Sequence, residues 1–340
     1  MPLAHGGRID EAMARYGGSR ARWIDLSTGI NPSSYPIPDI PTHIWHDLPD
    51  AGRVEAARRA VRLSCGAAEN APVSLAPGSQ LHIELLPRQI KQQAVAIAGF
   101  TYQEHAHCWS KAGHEVYVTD GLESAETTAR VVVVVNPNNP DGQTHRAADL
   151  LALAQRLAIK GGLLVVDEAF GDVAPEFSLG PEAGRLGLCV MRSLGKFYGL
   201  GGIRFGALLG PQAIVDAVDD AMGPWAVSGP AMLVAEAAFR DRTWQKRNRK
   251  KLAQRRAELE ALLGANGLDV IGGTDLFVLA RHEQAPRLAQ VCAEHHILIR
   301  TFTDRPDWLR FGIPAGKSVL NRLAEALAEC APHHPGQTPV

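Results

Sequence analysis

The sequence predicts an α/β protein. A large three-layer α/β/α domain around a mostly parallel sheet is joined to a smaller α+β domain. Three observations carry that expectation. First, short apolar runs recur at Val95–Ala98, Glu115–Val118, Val131–Val135, Leu163–Val166 and Cys189–Met191. Most are apolar at consecutive positions, as strands covered by helices on both faces require. Second, helical stretches separate the runs, and Ala147–Ile159 is the clearest; the alternation reads as βαβ units. Third, the texture changes after Pro211. A long helical stretch runs from about Thr243 to Leu263, followed by short strand candidates at Leu276–Ala280, Ile297–Arg300 and Leu309–Phe311 and a helix at Val319–Cys330.

The remaining segments complete this reading. Residues 1–50 are rich in Pro and Gly, with two apolar pieces, Trp23–Leu26 and Ile44–Trp45, and are expected to form an extended arm. Arg53–Leu63 has the spacing of an amphipathic helix. Ile203–Leu209 follows a loop and is expected to pair antiparallel. The Pro/His-rich tail is expected to be disordered. The large domain is placed at 51–211, and the small domain is assembled from 1–50 and 212–340.

Composition narrows the function classes. The 340 residues carry a formal net charge of −1, with 21% charged and 46% hydrophobic residues. Near-neutrality argues against a broad electrostatic surface for nucleic acid or membrane. The basic run Lys246–Arg256 lies in a stretch where Leu252, Leu259, Leu262 and Leu263 recur at helical spacing, so it reads as a solvated helix face. Five cysteines, odd in number, widely spaced and without a C-x-x-C, form no disulfide framework and suit a reducing cytoplasm. The first ten residues lack the apolar core of a signal peptide. Val131–Val135 is far too short to span a bilayer. His105, His107 and Cys108 lack the spacing of a structural zinc site, and the His333-His334 pair is too short to argue for metal, so no metal site is expected.

The chemistry concentrates in three motifs. Ser193-Leu194-Gly195-Lys196 follows an apolar run and leads into Gly199-Leu200-Gly201-Gly202-Ile203-Arg204-Phe205-Gly206. Glycines let backbone N–H groups approach a phosphate, and serine and arginine bind its oxygens. A lysine there can form an imine with an aldehyde. A flexible surface loop is the competing reading. Upstream, Val131–Val135 runs into Asn136-Pro137-Asn138-Asn139-Pro140-Asp141-Gly142, placing amides at the carboxyl edge of the sheet, where open α/β sheets bind ligands. A plain turn competes. Leu163–Val166 runs into Asp167-Glu168-Ala169-Phe170, a carboxylate at the end of a buried strand that needs a partner. A helix N-cap competes.

In this order, the three motifs resemble the class I/II aminotransferase superfamily of pyridoxal-phosphate (PLP) enzymes, fold type I. The resemblance covers nearly the whole chain. It implies an aspartate aminotransferase-like fold, PLP as cofactor and a homodimer. It also implies that Lys196 holds PLP as a Schiff base, that Asp167 pairs with the protonated pyridine nitrogen, and that Asn139 binds the phenolic oxygen. Ser193 and Arg204 match phosphate ligands. Gly78, Ser79 and Gln80, after Pro77, match the first phosphate-cradling loop at a helix start. Tyr102 matches the aromatic that stacks on the ring, and Arg310 the arginine that takes the substrate carboxylate. His105, His107 and Cys108, in place of a metal site, are expected on a helix surface next to the cofactor. Two positions depart from the pattern: Phe170 stands where many members have tyrosine, and Leu48, before Pro49-Asp50, stands where many have a tyrosine that reaches the neighbouring subunit's phosphate.

The N-terminal segment narrows the resemblance. His5-Gly6-Gly7-Arg8 and Asp25-Leu26-Ser27-Thr28-Gly29-Ile30-Asn31-Pro32 resemble the branch of threonine-phosphate decarboxylases in cobalamin biosynthesis. That branch implies conversion of L-threonine O-3-phosphate to (R)-1-aminopropan-2-yl phosphate and CO2, a small phosphorylated amino acid as substrate. His5, Ser27, Asn31 and Arg300 are expected around the substrate phosphate. Ordinary surface or turn roles compete at each of these four. A histidinol-phosphate aminotransferase is the alternative reaction, and a PLP-binding protein without turnover the alternative of another class.

Overall fold

The computed structural model describes residues 5–330. The described chain begins with α1 (Ile9–Tyr16), β1 (Ile24–Asp25), α2 (Thr42–His46), α3 (Ala51–Cys65), β2 (Val73–Ala76), α4 (Ser79–Leu85) and β3 (Ala94–Ala98). It continues through α5 (Glu104–Lys111), β4 (Glu115–Thr119), α6 (Leu122–Thr128), β5 (Val131–Val135), α7 (Ala147–Ile159), β6 (Leu163–Asp167), β7 (Leu188–Ser193) and β8 (Gly206–Leu209). Then come α8 (Gln212–Met222), α9 (Gly229–Arg240), α10 (Arg242–Ala265), β9 (Asp269–Thr274), β10 (Phe277–Arg281), α11 (Ala285–Glu294), β11 (Ile297–Leu298), β12 (Arg300–Thr301), β13 (Trp308–Gly312) and α12 (Lys317–Ala328).

Two compact units result. One runs from Ser33 to Arg249; the other joins the described residues up to Pro32 to those from Lys250 onward. The division falls at Pro32/Ser33 and inside α10, rather than at residues 50/51 and 211/212. Residues 33–50 and helices α8 and α9 pack with the sheet unit: α9 lies on α3, and α8 on β2.

In the sheet unit, seven strands run in the order β2-β8-β7-β6-β5-β3-β4. All are parallel except β8, which pairs antiparallel with both β2 and β7, as expected for this segment. Alternation along the strands sends side chains to both faces. Val131, Val133, Val165, Cys189 and Met191 pack on one face with Ile83, Trp109 and Val218 of α4, α5 and α8. Val132, Val134, Leu164, Val166 and Val190 pack on the other with Leu150, Leu153 and Leu157 of α7. Both faces are therefore apolar, which is why the strands read as unbroken runs.

The other unit carries an antiparallel sheet, β12-β13-β10-β9, and a parallel pair, β1-β11. The first fifty residues are not uniformly extended. Helix α1 buries Ile9 and Ala12 against Trp23 and Ala293, and β1 pairs Ile24 with Ile297. In the sheet unit, Ile44 and Trp45 fall in α2, and Trp45 is 62% exposed. The C-terminal tail with His333 and His334 lies outside the described residues. Among the described residues, no helix is long and apolar enough to cross a membrane. The basic run occupies α10, with Lys246, Arg247, Lys250 and Lys251 exposed while Leu252, Leu259 and Leu263 are buried.

Candidate active site

Three adjacent parallel strands end at the same edge of the sheet. Val135 of β5 is in register with Asp167 of β6, and Asp167 with Met191 of β7. The strands therefore deliver the Asn136–Asn139 turn, Asp167 and Ser193 side by side, with Lys196 three residues beyond. Alternation places Asp167 and Ser193 on the face shared with Val165 and Met191. Glu168 and Arg192 fall on the opposite face.

Asp167 is buried, and both its oxygens are engaged. Oδ1 accepts from the amide of Ala169 at 2.8 Å, and Oδ2 lies 2.9 Å from Nε2 of His105. Each carboxylate oxygen has a second lone pair, so acceptor capacity remains for a pyridinium N–H. His105 is 1% exposed. It is therefore not on a helix surface, as the sequence reading had it. Helix α5 packs on the sheet and turns the imidazole inward, where it orients the carboxylate. Its sequence signal was its place three residues after Tyr102, just inside α5.

Asn136 and Asn138 build the turn themselves. Asn136 donates to the carbonyls of His145 and Phe177, and Asn138 accepts from Thr101 at 2.6 Å and donates to Phe100 O. Asn139, the residue expected to meet the phenolic oxygen, is half-buried beside them. Tyr102 donates from its hydroxyl to Gln80 Oε1 at 3.0 Å, and Gln80 donates in turn to Glu104. Gln80 thus braces the ring expected to stack on the cofactor.

Gly78, Ser79, Ser193 and Arg204 are the residues expected to cradle the phosphate. A Cβ on Gly78 would stand 2.3 Å from Nη2 of Arg204, and one on Gly206 would stand 2.2 Å from the backbone N of Ser79. The approach of Gly206 to backbone atoms admits only glycine. Gly78 also has φ +87° and Arg204 has φ 54°, both in the left-handed region. Ser193 Oγ accepts from the amide of Gly195. Lys196 is half-buried, with Nζ 5.5 Å from the ring centroid of Phe170.

On the opposite face lies an ion cluster that the sequence reading did not single out. Arg192 donates to Glu168 at 2.8 Å and to Asp172 at 2.6 Å, all three being buried. Ser178 and the amide of Leu179 complete Glu168. Burial works against the Arg192 charge, but Asp172 and Glu168 more than offset it and raise its pKa. The cluster ties β6 to β7 immediately beside Asp167 and Ser193. Its signal was charge inside otherwise apolar strands, which is costly unless paired.

In the other unit, His5, Ser27 and Arg300 line one cavity of about 700 Å³, together with Arg8, Tyr16 and Thr301. Arg310 is buried and donates to Ser27 O at 2.6 Å. Arg300 and Arg310 are direct register partners on β12 and β13. Burial, with the charge of Arg300 beside it, lowers the Arg310 pKa to about 9. Like charges placed opposite each other destabilise a strand pair until an anion joins them. Asn31 is buried in the same unit.

The pattern of class I and II aminotransferases matches residues 56–327. A threonine-phosphate decarboxylase from Sinorhizobium sp is 44% identical over 329 residues, 96% of this chain and 98% of that protein.

The chain belongs to the class I and II aminotransferase family.

A second threonine-phosphate decarboxylase, from Pseudomonas aeruginosa, is 40% identical over 331 residues, covering 96% of this chain and 97% of that protein. A histidinol-phosphate aminotransferase from Dinoroseobacter shibae is 35% identical over 173 residues, 50% of this chain and 47% of its own length. A crystal structure of histidinol-phosphate aminotransferase from Sinorhizobium meliloti with pyridoxal-5'-phosphate superimposes with a TM-score of 0.80 at 20% identity, over 97% of this chain and 96% of that one. Class I and II aminotransferases use pyridoxal 5'-phosphate, which is the cofactor here. The residues present suit it: an amine on Lys196, a buried carboxylate with acceptor capacity left, and a Gly78–Ser79 turn held too close to Gly206 for a Cβ.

Proposed function

We propose that the chain decarboxylates L-threonine O-3-phosphate, yielding (R)-1-aminopropan-2-yl phosphate and CO2 for cobalamin biosynthesis. One observation carries the choice of reaction. Likeness to two threonine-phosphate decarboxylases runs over 96% of the chain, whereas likeness to the curated histidinol-phosphate aminotransferase stops at about half. Bound PLP supplies an electron sink for the bond that breaks at the substrate Cα. In this reading Asp167, oriented by His105, keeps the ring nitrogen protonated. Ser193, Arg204, Gly78 and Ser79 hold the cofactor phosphate, and Gln80 braces Tyr102. Asn139 meets the phenolic oxygen and Lys196 carries the linking amine.

Two anionic ends distinguish this substrate from an ordinary amino acid. Arg310 takes the carboxylate, and Arg300, His5, Ser27 and Asn31 take the phosphate. The pairing of Arg300 opposite Arg310 supports this reading, because two neighbouring guanidiniums are stabilised by anionic groups. Holding both ends fixes which bond to Cα breaks. CO2 leaves without the electrons of its bond, which stay with the rest of the substrate, and in this reading the protonated Lys196 side chain returns a proton to Cα. The test is incubation with L-threonine O-3-phosphate and no keto acid: CO2 and aminopropanol phosphate are expected. Turnover only with an added keto acid would instead establish the aminotransferase reading.

We also infer a homodimer in a reducing, cytoplasmic setting. Ile37, Trp45 and Leu48 are 56%, 62% and 66% exposed, and Leu48 borders a hollow of about 450 Å³ with Ile44 and Pro49. Such a cluster supports burial against a second copy. Sedimentation of the holoenzyme should give twice the chain mass, and a Trp45→Glu, Leu48→Glu chain should sediment as the monomer. All five cysteines are free thiols, consistent with a reducing compartment.

A further inference from the structure

A chain of buried polar groups crosses the turn that carries Gly78 and Ser79. Ser74 sits on β2 and His82 on α4, on either side of that turn. Ser74 Oγ lies 3.0 Å from Nε2 of His82, and both side chains are fully buried. Close by on α8, the Asp219 carboxylate accepts from Arg58 at 2.8 Å. Burial lowers the His82 pKa to about 3, so the ring is neutral. Its other nitrogen, Nδ1, is buried and has no hydrogen-bond partner. That costs free energy an apolar side chain would not, so the Ser74 bond is expected to do something an apolar side chain could not.

Its position says what that is. Two residues beyond Ser74, Ala76 is the register partner of Gly206, whose Cβ would meet Ser79 N. Three residues before His82 comes Ser79 itself. The Ser74–His82 bond therefore closes a short loop, and that loop holds the cradle's close contacts. We infer that Ser74 and His82 form a clasp that sets the Gly78–Ser79 turn in place for the cofactor phosphate, His82 acting as a positioning residue. The inference rests on the reading of that turn as a phosphate cradle.

The experiment compares two aldehydes that differ only in the phosphate. Dissociation constants of PLP and of pyridoxal are measured on the full chain, after removal of its cofactor, by the absorbance of the lysine-linked chromophore. The wild-type chain should prefer PLP. His82→Leu should weaken PLP at least tenfold, leave pyridoxal within twofold, and so narrow the preference. His82→Gln, whose amide N–H can reach Ser74, should restore it. Ser74→Ala should narrow it as His82→Leu does, and serves where the leucine variant fails to fold. Loss of both ligands in parallel, or an unchanged ratio in both variants, would overturn the clasp while leaving the cradle intact. A wild-type chain that binds both aldehydes alike would overturn the cradle and the clasp together.

Discussion

Gly206→Ala is the smallest change that tests the cofactor cradle. The added methyl would stand 2.2 Å from the backbone N of Ser79 and 2.6 Å from the backbone C of Gly78. Neither is the end of a flexible side chain, so β8 and the Gly78–Ser79 turn must separate by about an ångström. A hydrogen bond stretched that far is lost. Losing one or two charge-assisted bonds to the phosphate costs about 1.5–3 kcal/mol each. PLP affinity should therefore fall by about 10- to 10,000-fold, taking 1.4 kcal/mol as tenfold. The assay is a PLP titration followed by tryptophan fluorescence, with a thermal melt to check folding. Gly264→Ala, near the end of α10 with nothing within 4 Å of the new methyl, is the control and should bind PLP normally. If Gly206→Ala binds PLP within threefold of wild type, Gly206 does not hold the cradle closed and the reasoning fails.

Two further outcomes follow from the same geometry. Arg310→Lys exchanges a planar fork for a point charge; kcat/KM for threonine phosphate should fall about 100-fold while PLP affinity stays unchanged, and loss of PLP affinity instead would assign Arg310 to the cofactor. His82 provides a pH test. Its pKa is lowered from 6.5 to about 3 in the folded chain, so between these values the unfolded state binds the extra proton. Stability therefore falls as pH falls, by up to about 1.4 kcal/mol per unit from this residue. Denaturant unfolding at pH 7, 6 and 5 should show a shallower loss in His82→Gln than in wild type, and equal slopes would refute the assignment.

Much of the sheet was legible in the residues. Val131–Val135 and Ala147–Ile159 are found as read, and the other large-domain strands that were read lie within a few residues of their apolar runs, whereas β2 (Val73–Ala76) was not read. Consecutive apolar positions are what a doubly covered strand demands. Elements whose stability comes from distant partners were not legible. Strand β1 has two residues and exists because Ile297 and Leu298 offer it hydrogen bonds. Strand β9 contains Gly272 and Gly273, poor strand formers that the ladder with β10 holds in place. Residues 1–50 read as an arm because Pro and Gly dominate their composition, yet Ile9 and Ala12 find a core to bury against.

The candidate site divides along the same line. Local chemistry in the sequence was enough to single out Lys196, Asp167 and Arg204, because each sits in a motif whose residues are costly or conformationally special at a strand end. For His105, Glu168, Arg192 and His82 local sequence was not enough. What marks them is the identity of the partner: a carboxylate 62 positions away, a guanidinium 24 away, a hydroxyl across a turn. The order of motifs determined the cofactor class and the strands that would carry it. Only packing decided which polar side chains are buried together, since the cost of burying one is set by the group it meets in three dimensions.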